Sequence, residues 1–388
     1  MNMRILHALL FCRLGRRWGL PALLWGEPGT GKTAALDMLS RQVSMPFERV
    51  SPAERGEGQF GVVPVPGADG LLHYPPPDWV QKFAAAQGRG ILFLDEISTA
   101  PPMIQAPLLG AVQLRTIGSH YLGDGVRVVG AANETKDAAG GWDLAPPLAN
   151  RFGHFEFQGL DESAWVEGLI GGFGLDENVQ ALDPAAEEAR VLKLWPSADA
   201  NARGMIGGFI TRRPELLHKR PEKAAASSSR SWPSRRSVEY AAVALASAQV
   251  HGLNEIDTDE MLAGFVGLPW VTEFHAWRAN MDLPDPADLL DGKVSFKHEE
   301  RRLDRSLAVL SSCAALVIPE KAANRVARAA KCWELIGDVA KDTADVAIPA
   351  ARALIHNKVT AQLGKAVEAA AKPVLFKLHP VLTAAGIA

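Results

Sequence analysis

The eight residues Gly26, Glu27, Pro28, Gly29, Thr30, Gly31, Lys32 and Thr33 bring three glycines, a lysine and a terminal hydroxyl together at the spacing of a phosphate-binding loop. Glycines let a backbone turn tightly enough for successive N–H groups to converge on phosphate oxygens. The helix-like stretch ALDMLSRQV that follows adds the positive end of its dipole. In such a loop Lys32 neutralises the β- and γ-phosphates and Thr33 holds Mg2+. The chemistry implied is nucleoside triphosphate binding, which a small-molecule kinase would share.

Three further groups narrow it. ILFLDEIS reads as a buried strand delivering Asp95 and Glu96 at its C-terminal end, where ligands of open α/β sheets bind. Asp95 is suited to Mg2+, directly or through water, and Glu96 to orienting the water that attacks the γ-phosphate. VRVVGAAN ends in Asn133, a neutral amide able to bond both a γ-phosphate oxygen and that water. LAPPLANRFGHFEF carries Arg151, whose fixed planar charge suits a developing negative charge on a transferring phosphoryl group. A kinase has no need to activate water, so the acidic pair, Asn133 and Arg151 together favour hydrolysis.

These groups need a sheet to hold them. Short β-type runs at 22–25, 47–50, 91–94, 126–131 and 154–157 alternate with helical runs, the pattern of a parallel sheet covered by helices. A Gly/Pro-rich stretch, 51–78, is too long and too rich in breakers for an ordinary connection. From Leu160 onward helical patterns dominate, interrupted by a polar break at 219–235, predicted to be an exposed loop, and by a Pro/Asp-rich hinge at 283–291. An Ala-rich, helical tail closes the sequence. The predicted division is an α/β nucleotide-binding core at 1–158, an α-helical lid at 159–290 and an α-helical extension at 291–388.

Composition excludes little but bounds the rest. The 388 residues suffice for two or three domains, and a formal net charge of −3 gives no global attraction to nucleic acid or anionic membrane. The three cysteines, Cys12, Cys313 and Cys332, show no metal-ligand spacing and read as reduced thiols of a cytoplasmic protein. ILHALLFC is predicted to be an amphipathic first helix, and no stretch reaches the roughly twenty apolar residues a membrane span needs.

The order of these elements, with SWPSRRSVE further on, resembles the AAA+ ATPases, and within them the MoxR-like branch related to dynein and midasin modules. The resemblance is specific over roughly 21–157 and looser to about 290. It implies a P-loop α/β fold with a five-stranded parallel sheet, Gly26 to Thr33 as Walker A, Asp95 and Glu96 as Walker B, and Asn133 as sensor 1. Arg151 then matches the arginine finger, which acts on ATP held by a neighbouring subunit, and Arg236 or the adjacent Arg235 matches sensor 2. Residues 106–113 and 114–122 resemble the helix and hairpin that the family projects toward a ring pore, and part of 51–78 stands where it places its helix-two insertion. The prolines Pro75 to Pro77 depart from a helical insert. The resemblance implies ATP and Mg2+ as cofactors, a hexameric ring and chaperone-like remodelling of a protein partner, commonly one with a von Willebrand factor A domain. The other reading is a nucleic-acid translocase, for which Arg115, His120 and Tyr121 are the available contacts.

Overall fold

The computed structural model describes residues 1–55, 60, 64–133, 142–173, 182–221 and 230–384. The chain forms two compact units, residues 1–189, 218–244 and 253–268 in the first and 190–217, 245–252 and 269–388 in the second.

The first unit is built on a parallel sheet of five strands, β1 Ala22–Trp25, β2 Phe47–Val50, β3 Arg89–Leu94, β4 Gly125–Ala132 and β5 Gly153–Glu156, in the order β5-β1-β4-β3-β2. Every residue of β1 is buried, as are all but the first of β3 and of β4. Such continuous apolar runs are what a parallel strand covered on both faces requires. β2 lies at an edge and alternates instead, with Glu48 and Val50 buried and Arg49 exposed. The five predicted strands are all present, within two residues of the predicted ends.

Helices cover this sheet. The predicted first helix is α1, Met3–Leu10, whose start is capped where the Ile5 amide donates to Asn2 Oδ1 at 3.0 Å. The phosphate loop leads into α2, Lys32–Gln42, and α3, Asp78–Ala85, precedes β3. After β3 comes α4, Pro102–Leu114, which ends at Arg115 in the left-handed conformation, φ 58°. The chain then makes the small hairpin Thr116–Ile117 with His120–Tyr121. Within the predicted long connection 51–78 the structure holds a helical turn, Pro52–Arg55, and a second hairpin, Val65–Pro66 with Leu72–His73. Residues 56–59 and 61–63 of that stretch lie outside the described residues.

Two expectations are corrected. The break at 219–235, of which 222–229 lie outside the described residues, is not wholly exposed: Trp232 and Ser234 are buried. Asn150 holds them, donating through Nδ2 to the Trp232 carbonyl at 2.8 Å and accepting from Ser234 Oγ at 2.7 Å. A tryptophan offers too much apolar area to stay solvated, and it carries the flanking chain inward. The 283–291 segment is not a simple hinge either, for it contains the helix Pro286–Leu290. Asp285 caps that helix, accepting from the amides of Ala287 and Asp288 at 2.8 and 3.0 Å, and Pro286 sits in the first turn, where its missing N–H costs nothing.

The second unit is helical. The tail predicted as helices forms Leu303–Val317, Arg325–Asp342, Ala344–His356, Val359–Leu363 and Lys365–Ala384. They enclose a core that includes Leu310, Trp333, Ile336, Leu354 and Leu378. Phe209 is clasped by aromatic rings, edge-on to Trp270 at 4.8 Å and to Phe274 at 5.4 Å. The cysteines are free and buried, and desolvation pushes the thiols of Cys12 and Cys313 up to about 12. Among the described residues no helix is long and apolar enough to cross a membrane.

Candidate active site

The C-terminal ends of β1, β3 and β4 are neighbours, because β4 pairs with both of the others. The chain leaves β1 at Trp25 into the phosphate loop, β3 at Leu94 into Asp95 and Glu96, and β4 at Ala132 into Asn133. Four side chains meet there. Lys32 Nζ donates to the carbonyls of Gly26 and Glu27 at 2.8 and 3.0 Å and to Asn133 Oδ1 at 3.0 Å. Thr33 Oγ1 donates to Asp95 Oδ2 at 3.2 Å. Burial lowers the basicity of Lys32, an effect that nearby Asp95 and then Glu96 oppose.

The loop itself has the backbone of an anion cradle. Gly29 and Gly31 stand at φ 82° and 87°, where other residues are strained, and a Cβ at either would meet open space rather than protein. The space beside them is where phosphate oxygens fit. Gly26 is required for the opposite reason, since a Cβ there would lie 2.4 Å from the Phe157 carbonyl oxygen. α2 begins at Lys32 with no side chain capping its first turn, so its leading amides are available to an anion. Glu27, Pro28 and Thr30 complete the loop, Thr30 Oγ1 donating to the Glu27 carbonyl at 2.9 Å. The donor set of the Thr33 hydroxyl beside the Asp95 carboxylate suits Mg2+, which favours hard oxygen ligands.

Glu96 adopts a left-handed conformation, φ 53° and ψ 40°, and its side chain is exposed beyond the strand end. That backbone costs a non-glycine residue about 1 kcal/mol, and it is braced where the Glu96 amide donates to Asp95 Oδ1 at 3.1 Å. Ser98 supports Asn133, accepting from its amide at 3.3 Å.

Arg151 and Arg236 are not brought to this loop. Arg151 precedes β5, whose first residue, Gly153, pairs with Ala22 at the start of β1. The phosphate loop leaves from the other end of β1. The two groups therefore lie at opposite ends of the strands, Arg151 at the N-terminal ends and the phosphate loop at the C-terminal ends. Arg151 Nε donates to Gln113 Oε1 at 2.7 Å, and Nη1 donates to the Pro147 carbonyl. It lines a cavity of about 460 Å3 with Arg220, Arg235, Arg236, His218 and Asn150. Burial first, then the charge of Arg236, holds the Arg151 guanidinium below its usual basicity.

Several residues near these groups carried no sequence signal. Arg49 reaches from β2 and its Nε donates to Asp95 Oδ2 at 2.6 Å. Trp25, the residue before the loop, donates through its indole to His154 Nδ1 at 2.9 Å, while His154 Nε2 faces the Ala149 carbonyl at 2.9 Å. The Arg230 guanidinium lies over the Trp25 ring, 3.9 Å from its centroid, and pairs with Glu156 at 2.9 Å. Only the alternation of the edge strand hinted that Arg49 would project from the sheet.

A five-stranded parallel sheet in which β1, lying between β5 and β4, ends in this loop defines a P-loop nucleoside triphosphatase. Residues 22–160 match the model of the AAA family, the ATPase family associated with various cellular activities. No curated protein matches the chain. Among solved structures the chain is similar to that of a "putative ATPase" from Cytophaga hutchinsonii, at 13% identity and a TM-score of 0.45, over 68% of this chain and 78% of that one.

Proposed function

We propose that the chain is a Mg2+-dependent, ring-forming AAA+ ATPase of the MoxR-like type that remodels a protein partner, commonly one bearing a von Willebrand factor A domain, in the cytoplasm. In this reading Gly26 to Thr33 bind ATP and Lys32 neutralises its β- and γ-phosphates. Thr33 and Asp95 hold Mg2+, which would offset charge on the phosphate oxygens. Glu96 accepts a hydrogen bond from the attacking water, and Asn133 orients that water against the γ-phosphate. Hydrolysis gives ADP and phosphate. The proposed functional division is 1–158 for the core, 159–290 for the lid and 291–388 for the extension.

The observation that carries the ring is the position of Arg151. It lies at the end of the strands away from its own phosphate loop, separated by the length of a four-residue strand, about 10 Å. An arginine so placed serves a phosphate held by another copy. Arg236 shares its cavity, which supports the same assignment for a sensor 2 arginine and favours Arg236 over the more exposed Arg235. A head-to-tail contact of this kind closes into a ring, here a hexamer.

The nucleic-acid reading loses one of its three contacts. Arg115 is fully buried, donating through Nε to the Val126 carbonyl at 2.8 Å and through Nη2 to that of Gly19 at 3.2 Å. It secures the hairpin and is not offered to a polyanion.

The test mixes two inactive proteins, Arg151→Ala and Glu96→Gln. Mixed rings contain interfaces with one intact loop and one intact arginine, so phosphate release should reappear and peak near equal ratios. No recovery at any ratio, with mixed assemblies demonstrated by pull-down of a tagged subunit, rejects action between subunits.

A further inference from the structure

The Asp95 carboxylate is already engaged on both oxygens. Oδ1 accepts the Glu96 amide at 3.1 Å, and Oδ2 accepts both Thr33 Oγ1 at 3.2 Å and Arg49 Nε at 2.6 Å. The first two contacts are compatible with a metal ion, since a neutral amide and a neutral hydroxyl leave the carboxylate its charge. Arg49 is different. Its guanidinium neutralises the carboxylate through a short, charge-assisted hydrogen bond, and its positive charge stands beside the site a divalent cation would enter.

The fold brings the two residues together. β2 and β3 are parallel neighbours with Arg49 opposite Phe93 and Val50 opposite Leu94. The pairing continues one step beyond, where the Asp95 amide donates to the Val50 carbonyl at 2.9 Å. Alternation along the edge strand turns Val50 and Glu48 inward and leaves Arg49 half exposed, whereas the Asp95 side chain is only 8% exposed. Of the pair, the arginine is the one that solvent reaches.

We propose that Arg49 competes with Mg2+ for Asp95, so that it holds the carboxylate until metal and nucleotide arrive together and displace it. Arg49 then sets the Mg2+ concentration at which nucleotide binds. It is a positioning residue acting through Asp95, and the inference rests on the reading that Asp95 serves Mg2+.

The experiment measures equilibrium binding of a fluorescent N-methylanthraniloyl ATP across a Mg2+ titration, in full-length protein carrying Glu96→Gln to slow turnover. Adding Arg49→Gln should lower the Mg2+ concentration for half-maximal binding about three- to tenfold, the worth of a charge-assisted bond on a half-exposed pair. Arg49→Lys, which keeps the charge, should stay within about twofold of the parent. Arg49→Met repeats the test with the apolar stem retained, should Arg49→Gln not fold. A half-maximal Mg2+ concentration that is unchanged or raised in the folded neutral variant overturns the proposal. A parent whose nucleotide binding ignores Mg2+, or matches that of Asp95→Asn throughout the titration, overturns the assignment of Asp95 to the metal instead.

Discussion

Lys32 Nζ donates to Asn133 Oδ1 at 3.0 Å, joining residues 101 positions apart in the chain. The bond spans two adjacent parallel strands, because β1 and β4 end side by side and each releases its residue into the same space. The lysine also donates to the two loop carbonyls of Gly26 and Glu27.

That arrangement separates binding from chemistry. Lys32→Ala removes the charge that faces the triphosphate, and ATP affinity measured by fluorescence titration should fall about a hundredfold. Asn133→Ala leaves the charge and loses only the neutral amide. Its ATP affinity should change less than about threefold while phosphate release slows about a hundredfold, as for loss of one transition-state hydrogen bond. Equal losses of affinity in both variants would contradict the separate roles.

Gln113, in the last turn of α4, positions Arg151. Its side chain accepts from Arg151 Nε at 2.7 Å, and its carbonyl accepts from Arg17 Nη1. Gln113→Leu leaves the guanidinium without that acceptor, so turnover should drop about tenfold through misplacement of the charge. Affinity of the same subunit for ATP should stay near wild type, since the phosphate loop lies at the opposite end of the strands. A rise in the Kd for ATP that matches the loss of turnover would place the effect elsewhere.

His154 gives the sheet a pH dependence with a definite sign. Burial is the main cause that pulls its pKa from 6.5 down to about 3, and the charge of Arg230 acts in the same direction, against the Ala149 carbonyl. The folded chain therefore refuses a proton that the unfolded chain accepts. Stability from this residue is full above about pH 6.5 and is lost as pH falls toward 3, at up to about 1.4 kcal/mol per unit. His154→Gln keeps a hydrogen-bonding side chain without the titration. Urea unfolding at pH 7.5 and 5.0 should show the wild type losing about 2 kcal/mol more than the variant between the two conditions.

The strands were legible because burial on both faces writes itself into local sequence as unbroken apolar runs, as in ALLW and ILFL. The loop was legible because each of its glycines answers a local demand, a positive φ at Gly29 and Gly31 and a close approach at Gly26. The 219–235 segment was misread because its polar composition masked one tryptophan. Trp232 finds its place against Asn150, more than eighty residues earlier, and nothing in the surrounding serines announces that partner.

By itself the sequence determined which residues could bind a triphosphate, the helix they precede and the strands that end beside them, since these follow from spacing, backbone freedom and hydrophobic period. Only the tertiary structure decided that Arg49 rests on Asp95 and that Arg151 lies at the end of the strands away from the phosphate loop. The first depends on the register of β2 against β3, and the second on β5 lying parallel to β1. Register and strand direction are properties of paired segments distant in the chain, so no window of sequence contains them.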